Sequence, residues 1–400
     1  MEKLDIMSKD KIKRFIECIV PVTACNLRCH YCYVIQNDYR TNKIPKFEYS
    51  PEYIAKALSK KRLGGTCLFN ICGAGETLLP EEVVKVAYQL LNAGHYVNIT
   101  TNGTITERFE EISSFPKEFC ERLTFSFSFH YLELRDRNLL DVFFKNINLV
   151  RQAGCSFLVQ FNMYDEYIPH LETMKQLCMD NVGAIPQIAL TRDEMSDEIK
   201  ILSNLSRESY YKLGESFNSP LWNFTNKNFL INRNEFCYAG DWSFRLDLTT
   251  GEAKRCYFED YTQNFYKDID KPINFCAVGC ECGLPYCINS SHFIALGNIP
   301  QIECPTYSNL RNRKCKDGVN VYIKRMPNIE NHIMDVYGKK ESILKFIKKI
   351  TNVSDKTMLS MISNIQLEED DYDYNLSFAD EKAAIDEEIA IFNLLNEEDK

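Results

Sequence analysis

No stretch of this 400-residue chain approaches the run of roughly 18 consecutive apolar residues that a membrane-spanning helix needs. Met1-Glu2-Lys3-Leu4-Asp5 carries charge but no apolar h-region, so a secretory signal is not expected. Glu397-Glu398-Asp399-Lys400 contains no lipidation box. A broad basic excess is also missing: the net charge is −9, which speaks against a phosphate footprint for nucleic acid. The expected protein is therefore soluble and cytoplasmic, with neither a membrane nor a nucleic-acid partner.

The charge average hides two unequal parts. Residues 366–400 hold thirteen Asp or Glu against two Lys, a local balance of −11, which leaves residues 1–365 at +2. Segment 311–349 has eleven Lys or Arg against four acids. Exposed charge runs are usually solvated faces, and this one is read so, paired with the acidic tail.

Cysteine, by contrast, is abundant, at seventeen residues. In a reducing cytosol, clustered thiols point to metal or catalysis rather than to disulfides. Cys18, Cys67, Cys72, Cys120, Cys155 and Cys178 lie scattered in apolar stretches and read as small buried hydrophobes. Cys25, Cys29 and Cys32 differ: three thiols share one short loop with no fourth cysteine nearby. A structural zinc site wants four protein ligands in a closed tetrahedron, so the zinc reading needs a remote cysteine or histidine. A [4Fe–4S] cluster normally takes one thiolate per iron, and three local thiolates leave one iron for a ligand that is not protein.

A strand–helix rhythm surrounds this loop. Apolar, β-branched runs at Phe15–Val22, Thr66–Ile71, His95–Thr100, Arg122–Phe129, Cys155–Met163 and Ile185–Leu190 read as strands. After the first they recur about every thirty residues, the length of a βα unit. Ser50-Pro51 is a helix start, and Gly94, Gly154 and Gly183 follow helical stretches as C-terminal caps do. Six such units predict an α/β fold with a parallel sheet: six is short of the eight that close a TIM barrel, so an open, partial (β/α)6 barrel of the TIM type is expected, with a six-strand doubly wound sheet as the alternative. In both, function gathers at the carboxyl ends of the strands, where the cysteine loop falls.

The divisions expected are a barrel over 1–195, a connector over 196–236 with one helix near Ser209–Phe217, a Cys-rich module over 237–320 and a helical, acidic extension over 321–400. Trp242–Leu248 followed by Thr249-Thr250-Gly251 reads as a strand entering a hairpin turn.

Cys25-x3-Cys29-x2-Cys32, with Tyr31 before the third cysteine, resembles the signature of the radical S-adenosylmethionine (radical SAM) enzymes. The resemblance continues at later strand ends. Gly73-Ala74-Gly75-Glu76 is similar to the family's Gly-Gly-Glu motif, with Ala74 in place of a glycine. Thr100-Thr101-Asn102-Gly103 resembles its Thr-Asn-Gly segment, Ser128 its ribose-contacting serine, and Leu190 a residue bordering adenine.

The resemblance implies that Cys25, Cys29 and Cys32 ligate a [4Fe–4S] cluster whose open iron binds S-adenosylmethionine. It implies a cofactor shell of Tyr31, Gly75, Glu76, Asn102 and Ser128. The reaction implied is reductive cleavage to methionine and a 5′-deoxyadenosyl radical, then hydrogen abstraction from a substrate, with electrons from a flavodoxin or ferredoxin.

Cys237-x13-Gly251-x4-Cys256 is similar to the opening of the family's SPASM/twitch extensions. There the resemblance implies one or two auxiliary iron–sulfur clusters held among Cys237, Cys256, Cys276, Cys280, Cys282, Cys287 and Cys304. The spacing of the later cysteines departs from the usual run, and a zinc ribbon is the other reading. Relatives of this kind modify peptides or proteins, the expected substrate class; sugars or cyclitols are the alternative. A non-catalytic iron–sulfur electron carrier is a reading of another class, and it has no use for Gly75-Glu76 and Asn102-Gly103. No catalytic acid, base or hydrogen donor is identifiable; His130, Cys72 and Arg192 lie near strand ends.

Overall fold

The computed structural model describes residues 12–195, 200–233, 235–257 and 262–279, together with 282, 298, 299, 302, 310–313 and 315. The acidic tail, most of the basic segment 311–349, and Cys280, Cys287 and Cys304 lie outside these described residues.

Six strands follow the expected rhythm: β1 (Arg14–Val20), β2 (Cys67–Gly73), β3 (Tyr96–Thr101), β4 (Leu123–Ser128), β5 (Ser156–Met163) and β6 (Gln187–Leu190). Each begins within two residues of its expected place. They pair in parallel and in chain order, β1 to β6. That order decides between the two candidate folds. A doubly wound sheet reverses direction midway and carries helices on both faces. Successive right-handed crossovers to the next neighbour keep every helix on one face and curl the sheet, which gives a partial barrel. No pairing between its outermost strands closes the barrel among the described residues.

Helices α1 (Tyr33–Gln36), α2 (Pro51–Ala57), α3 (Lys60–Leu63), α4 (Glu82–Asn92), α5 (Thr106–Ser113), α6 (Lys117–Cys120), α7 (Tyr131–Asp136), α8 (Leu140–Ala153) and α9 (Leu171–Asn181) join these strands. Ser50 caps α2 by accepting the Tyr53 N–H at 3.3 Å. The helix-facing side of the sheet is apolar: Phe125 and Phe127 of β4 and Phe129 just beyond it stack with Phe109 of α5 and Phe143 of α8. All five rings are fully buried, each stabilising the fold by about 1.5–3 kcal/mol relative to exposure. Asn146 of α8, also fully buried, donates to the Gly103 carbonyl at 2.9 Å and fixes the loop after β3.

Beyond β6, a short ribbon pairs β7 (Arg192–Asp193) with β8 (Lys200–Ile201). The connector holds two helices rather than one, α10 (Arg207–Glu215) and α11 (Pro220–Asn228). Ser219-Pro220 starts the second one, with Ser219 Oγ accepting from Trp222 N.

The expected hairpin forms as β9 (Ser243–Asp247) and β10 (Glu252–Lys254), and β11 (Thr262–Asn264) adds to it. It is continuous with the barrel: β9 pairs in parallel with β1, giving the order β11-β10-β9-β1-β2-β3-β4-β5-β6. Arg14 of β1 secures this edge by donating to the Asp241 carbonyl at 2.7 Å and to its carboxylate at 3.2 Å. None of the described helices is long and apolar enough to cross a membrane.

Candidate active site

The sheet face away from the helices is polar, and it opens toward the carboxyl ends of the strands. Along β2, β3, β4, β5 and β9 every second residue becomes half-exposed there: Cys72, Thr100, Ser126, Ser128, Gln160, Asn162 and Arg245. Their strand neighbours Ile71, Ile99, Phe125, Phe161, Phe244 and Leu246 are buried. A period of two between wet and dry positions means that one face of the sheet lines an open lumen. Deeper in that lumen a hydrogen-bonded row crosses four strands. Ser126 donates to Asn98 at 3.2 Å, Asn98 to Asn70, and Asn70 to Glu17 at 2.8 Å. Cys72 donates its S–H to the same Glu17 oxygen at 3.0 Å. It is therefore a lumen residue, not the buried hydrophobe its apolar neighbours suggested.

At the mouth of this lumen stands the cysteine loop, held from several sides. Arg40 donates to the carbonyls of Cys25 and Leu27, the latter at 2.8 Å. Glu133 of α7 accepts the Arg28 N–H at 2.7 Å. Burial works against the Glu133 carboxylate, but Arg137 at 2.8 Å and the Arg28 N–H outweigh it and hold its pKa below the ordinary value.

Gly75 is glycine because the chain passes too close for a side chain: a Cβ there would collide with the Ala24 carbonyl. The close approach is thus to the cysteine loop itself. Gly75 N and Glu76 N donate to the Val22 and Ala24 carbonyls, at 2.6 and 2.9 Å. Glu76 is buried, and its carboxylate accepts from Leu78 N at 3.0 Å, Thr101 Oγ1 at 2.6 Å and Asn102 N at 2.8 Å. Burial raises its pKa, opposed by these three donors. Oε2 takes one donor only, so it retains capacity to accept another.

Asn102 is turned on the loop as well. Its Nδ2 donates to Asn26 Oδ1 at 2.8 Å and points to Cys25 Sγ at 3.8 Å, while Thr104 donates to its Oδ1 at 2.6 Å. Gly103 follows with φ of +75°, in the left-handed region that Gly adopts without strain. Tyr31 is buried; its hydroxyl shares a hydrogen bond with His130 Nδ1 at 2.6 Å and meets the Tyr167 hydroxyl at 3.2 Å. Burial holds the His130 pKa down to about 4, so the ring is neutral. The half-buried Ser128 hydroxyl makes no hydrogen bond among the described residues. Leu190 is half-buried at the end of β6.

The three thiols suit an iron–sulfur cluster. Cys29 is buried, and Cys25 and Cys32 are half-exposed. Burial raises the pKa of Cys25, and of Cys29 more strongly, with the neighbouring thiols adding to it. Thiolates at Cys25 and Cys29 are therefore disfavoured without a positively charged group to bind them, and a metal centre deprotonates its thiol ligands outright. The Leu27 N–H already points at Cys25 Sγ, at 3.4 Å. No three His, Cys, Asp or Glu among the described residues are arranged about a single metal ion. Cubane thiolates bind separate irons and need no such common point.

With this geometry in view, comparison with known proteins gives a family. Residues 19–177 match the model of the radical SAM superfamily. Over this segment the chain is similar to radical SAM domains. The cofactors of that superfamily are a [4Fe–4S] cluster and S-adenosylmethionine, and the matched residues hold every element of the site from the cysteine loop to His130. No curated protein matches the chain. Among solved structures it is similar to Streptococcus suis SuiB bound to S-adenosylmethionine, at 15% identity, covering 74% of this chain and 77% of that one, with a TM-score of 0.47. It is also similar to a histidine-tagged anSMEcpe with bound AdoMet, at 17% identity, 88% and 98% coverage and a TM-score of 0.47.

Of the expected auxiliary ligands, Cys237, Cys256, Cys276 and Cys282 are described and half-exposed. The structure brings three of their segments to one corner. Cys237 and Gly279 exchange backbone hydrogen bonds of 3.0 Å, and Arg255, next to Cys256, points a guanidinium nitrogen at Cys276 Sγ, 3.8 Å away.

Glu17 and Arg245 were not among the residues expected at this site. Each is a charged residue flanked on both sides by apolar neighbours within its strand, and that was the available signal.

Proposed function

We propose that this protein binds S-adenosylmethionine at a [4Fe–4S] cluster ligated by Cys25, Cys29 and Cys32, and modifies a peptide or protein substrate in the barrel lumen. The observation that carries the reading is the meeting of the thiol loop with the ends of β2 and β3 at the mouth of a polar, open lumen. When bound, the cluster and S-adenosylmethionine supply one-electron cleavage to methionine and a 5′-deoxyadenosyl radical.

The residues of the chain prepare that event. Arg40, Glu133, Asn26 and Asn102 fix the loop, so little reorganisation remains when ligands arrive. Glu76 Oε2 is the acceptor for the methionine ammonium, a charge-assisted hydrogen bond in a buried setting. Ser128, with an uncommitted hydroxyl on the lumen face, contacts the ribose. Tyr31 closes the loop's far side against Tyr164, Tyr167 and His130 and excludes water. Cys237, Cys256 and Cys276 hold an auxiliary cluster beside β9. The peptide class follows from the SPASM-like Cys237–Gly251–Cys256 hairpin, and peptide-bound forms are described for SuiB, with its precursor SuiA, and for anSMEcpe.

Anaerobic reconstitution with iron and sulfide, followed by dithionite and S-adenosylmethionine, tests this. The expected product is 5′-deoxyadenosine, with its yield raised by a peptide substrate. A fully loaded protein that leaves S-adenosylmethionine intact, with and without peptides, would contradict the proposal.

A further inference from the structure

The lumen wall made by β9, β1 and β2 contains a guanidinium that the described residues leave without a hydrogen-bond or ion-pair partner. Arg245 is the middle residue of β9 and the register partner of Glu17 on β1, so both side chains leave the same face of the sheet. No ion pair joins them. Arg245 Nε is buried without a hydrogen-bond partner, and its side chain makes no hydrogen bond or ion pair to any described residue. Its charge rests only near the Tyr257 ring, with Cζ 5.7 Å from the centroid.

Other arginines of this region behave differently. Arg14 and Arg40 donate to backbone carbonyls, and Arg192 pairs with Glu194 at 2.7 Å. A guanidinium held in a partly desolvated lumen without an acceptor is costly unless a ligand supplies one.

The neighbourhood limits what that ligand is. Glu17 is fully buried beside Arg245, and its Oε1 is occupied by Asn70 and Cys72. With the Glu17 side chain beside it, a single guanidinium is matched better to a singly charged anion than to a phosphate dianion. A single carboxylate matches, because its two oxygens fit the planar fork of arginine. The half-exposed Cys72 thiol forms the wall next to it, and the groups assigned to S-adenosylmethionine stand on β2, β3 and β4.

We propose that Arg245 anchors a carboxylate of the substrate, an acidic side chain or terminus of a peptide, on the β9 side of the barrel lumen. The inference rests on reading that lumen as the reaction chamber.

The cluster-loaded protein, kept anaerobic, is treated with phenylglyoxal, and modification of Arg245 and Arg192 is followed by peptide mass mapping. The probes are N-acetyl-aspartate amide, its isosteric neutral control N-acetyl-asparagine amide, and inorganic phosphate. At about five times its half-saturating concentration the aspartate probe leaves about one-sixth of the sites free, so Arg245 reacts about sixfold more slowly. Arg192, already paired, should react at an unchanged rate, and the asparagine probe should protect neither. Equal protection by both amides, stronger protection by phosphate, or no protection would overturn the assignment. In Arg245→Gln, saturable binding of the 13C-labelled aspartate probe should vanish, and binding that survives would also overturn it. Formation of 5′-deoxyadenosine is measured on the same preparation. Its absence counts against the radical reading, whereas loss of protection alone counts against Arg245.

Discussion

The two sides of β1 are built in opposite ways. Toward β2 and β3 the polar groups engage one another: Glu76 takes three donors, Asn102 joins Asn26, Thr104 and Cys25, and two backbone amides tie Gly75 and Glu76 to the cysteine loop. Toward β9 an arginine stands without an acceptor beside an open lumen. One side is held largely by the chain's own contacts, and on the other the described residues supply the arginine with no acceptor. This is the division expected where a fixed cofactor must meet a separate substrate. The closed side can be rigid because its ligand never varies, and the open side keeps its binding capacity in reserve.

The largest effect expected from breaking the closed side is that of Cys29→Ala. Iron and sulfide content of the radical site, and 5′-deoxyadenosine formation, should both fall to background. Retention of either would show that the triplet does not hold the cluster. Next comes Asn102→Ala, which removes a group orienting the loop rather than a ligand. Such changes typically lower metal affinity or activity about 10–100-fold, so cluster occupancy after gel filtration should fall while the chain stays folded. Unchanged occupancy would mean that the closed side is not preorganised by Asn102.

Stability provides the third test. Asn146→Ala leaves the buried Gly103 carbonyl without its donor, which costs about 1–3 kcal/mol in urea unfolding. A neutral result would remove α8 from the support of the loop.

The smallest effect is on pH dependence. Burial holds His130 neutral, with its pKa down to about 4, and His95 likewise, against about 6.5 in the unfolded chain. Between those values the unfolded chain binds the extra protons. Stability is therefore fully present above about pH 6.5 and is lost as pH falls toward 4, by up to about 1.4 kcal/mol per pH unit for each group. His130→Gln should make that slope shallower, and an identical slope would mean that His130 is not buried neutral.

Much of the closed side could be read from sequence, because its strands are periodic and its motifs are local. The six strands begin within two residues of their expected positions, since alternating burial and βα length fix them. Their arrangement as a partial barrel was expected from six βα units being short of the eight that close one, and the chain-order pairing excludes the doubly wound alternative that periodicity left open. The partnership of Asn102 with Asn26 was hidden: the two residues are 76 apart and meet only once β1 and β3 are in place. The second connector helix carried a Ser-Pro start at Ser219-Pro220, the signal that located α2 at Ser50-Pro51. The open side was the hardest to read. Glu17 and Arg245 are charged residues between apolar neighbours, and β9 lies 223 residues after β1 ends (243 − 20) before returning to pair with it. Nothing local says that they share a wall.

The central claim is that the fourth ligand missing from the Cys25, Cys29 and Cys32 loop is S-adenosylmethionine. It is tested most directly by electron paramagnetic resonance of the dithionite-reduced, cluster-loaded protein with and without S-adenosylmethionine. A variant lacking the auxiliary thiols Cys237, Cys256 and Cys276 should be used, so that the radical-site cluster is seen alone. The account predicts a reduced-cluster signal that changes when S-adenosylmethionine is added and is absent when Cys29→Ala is also introduced. A signal indifferent to S-adenosylmethionine would contradict it.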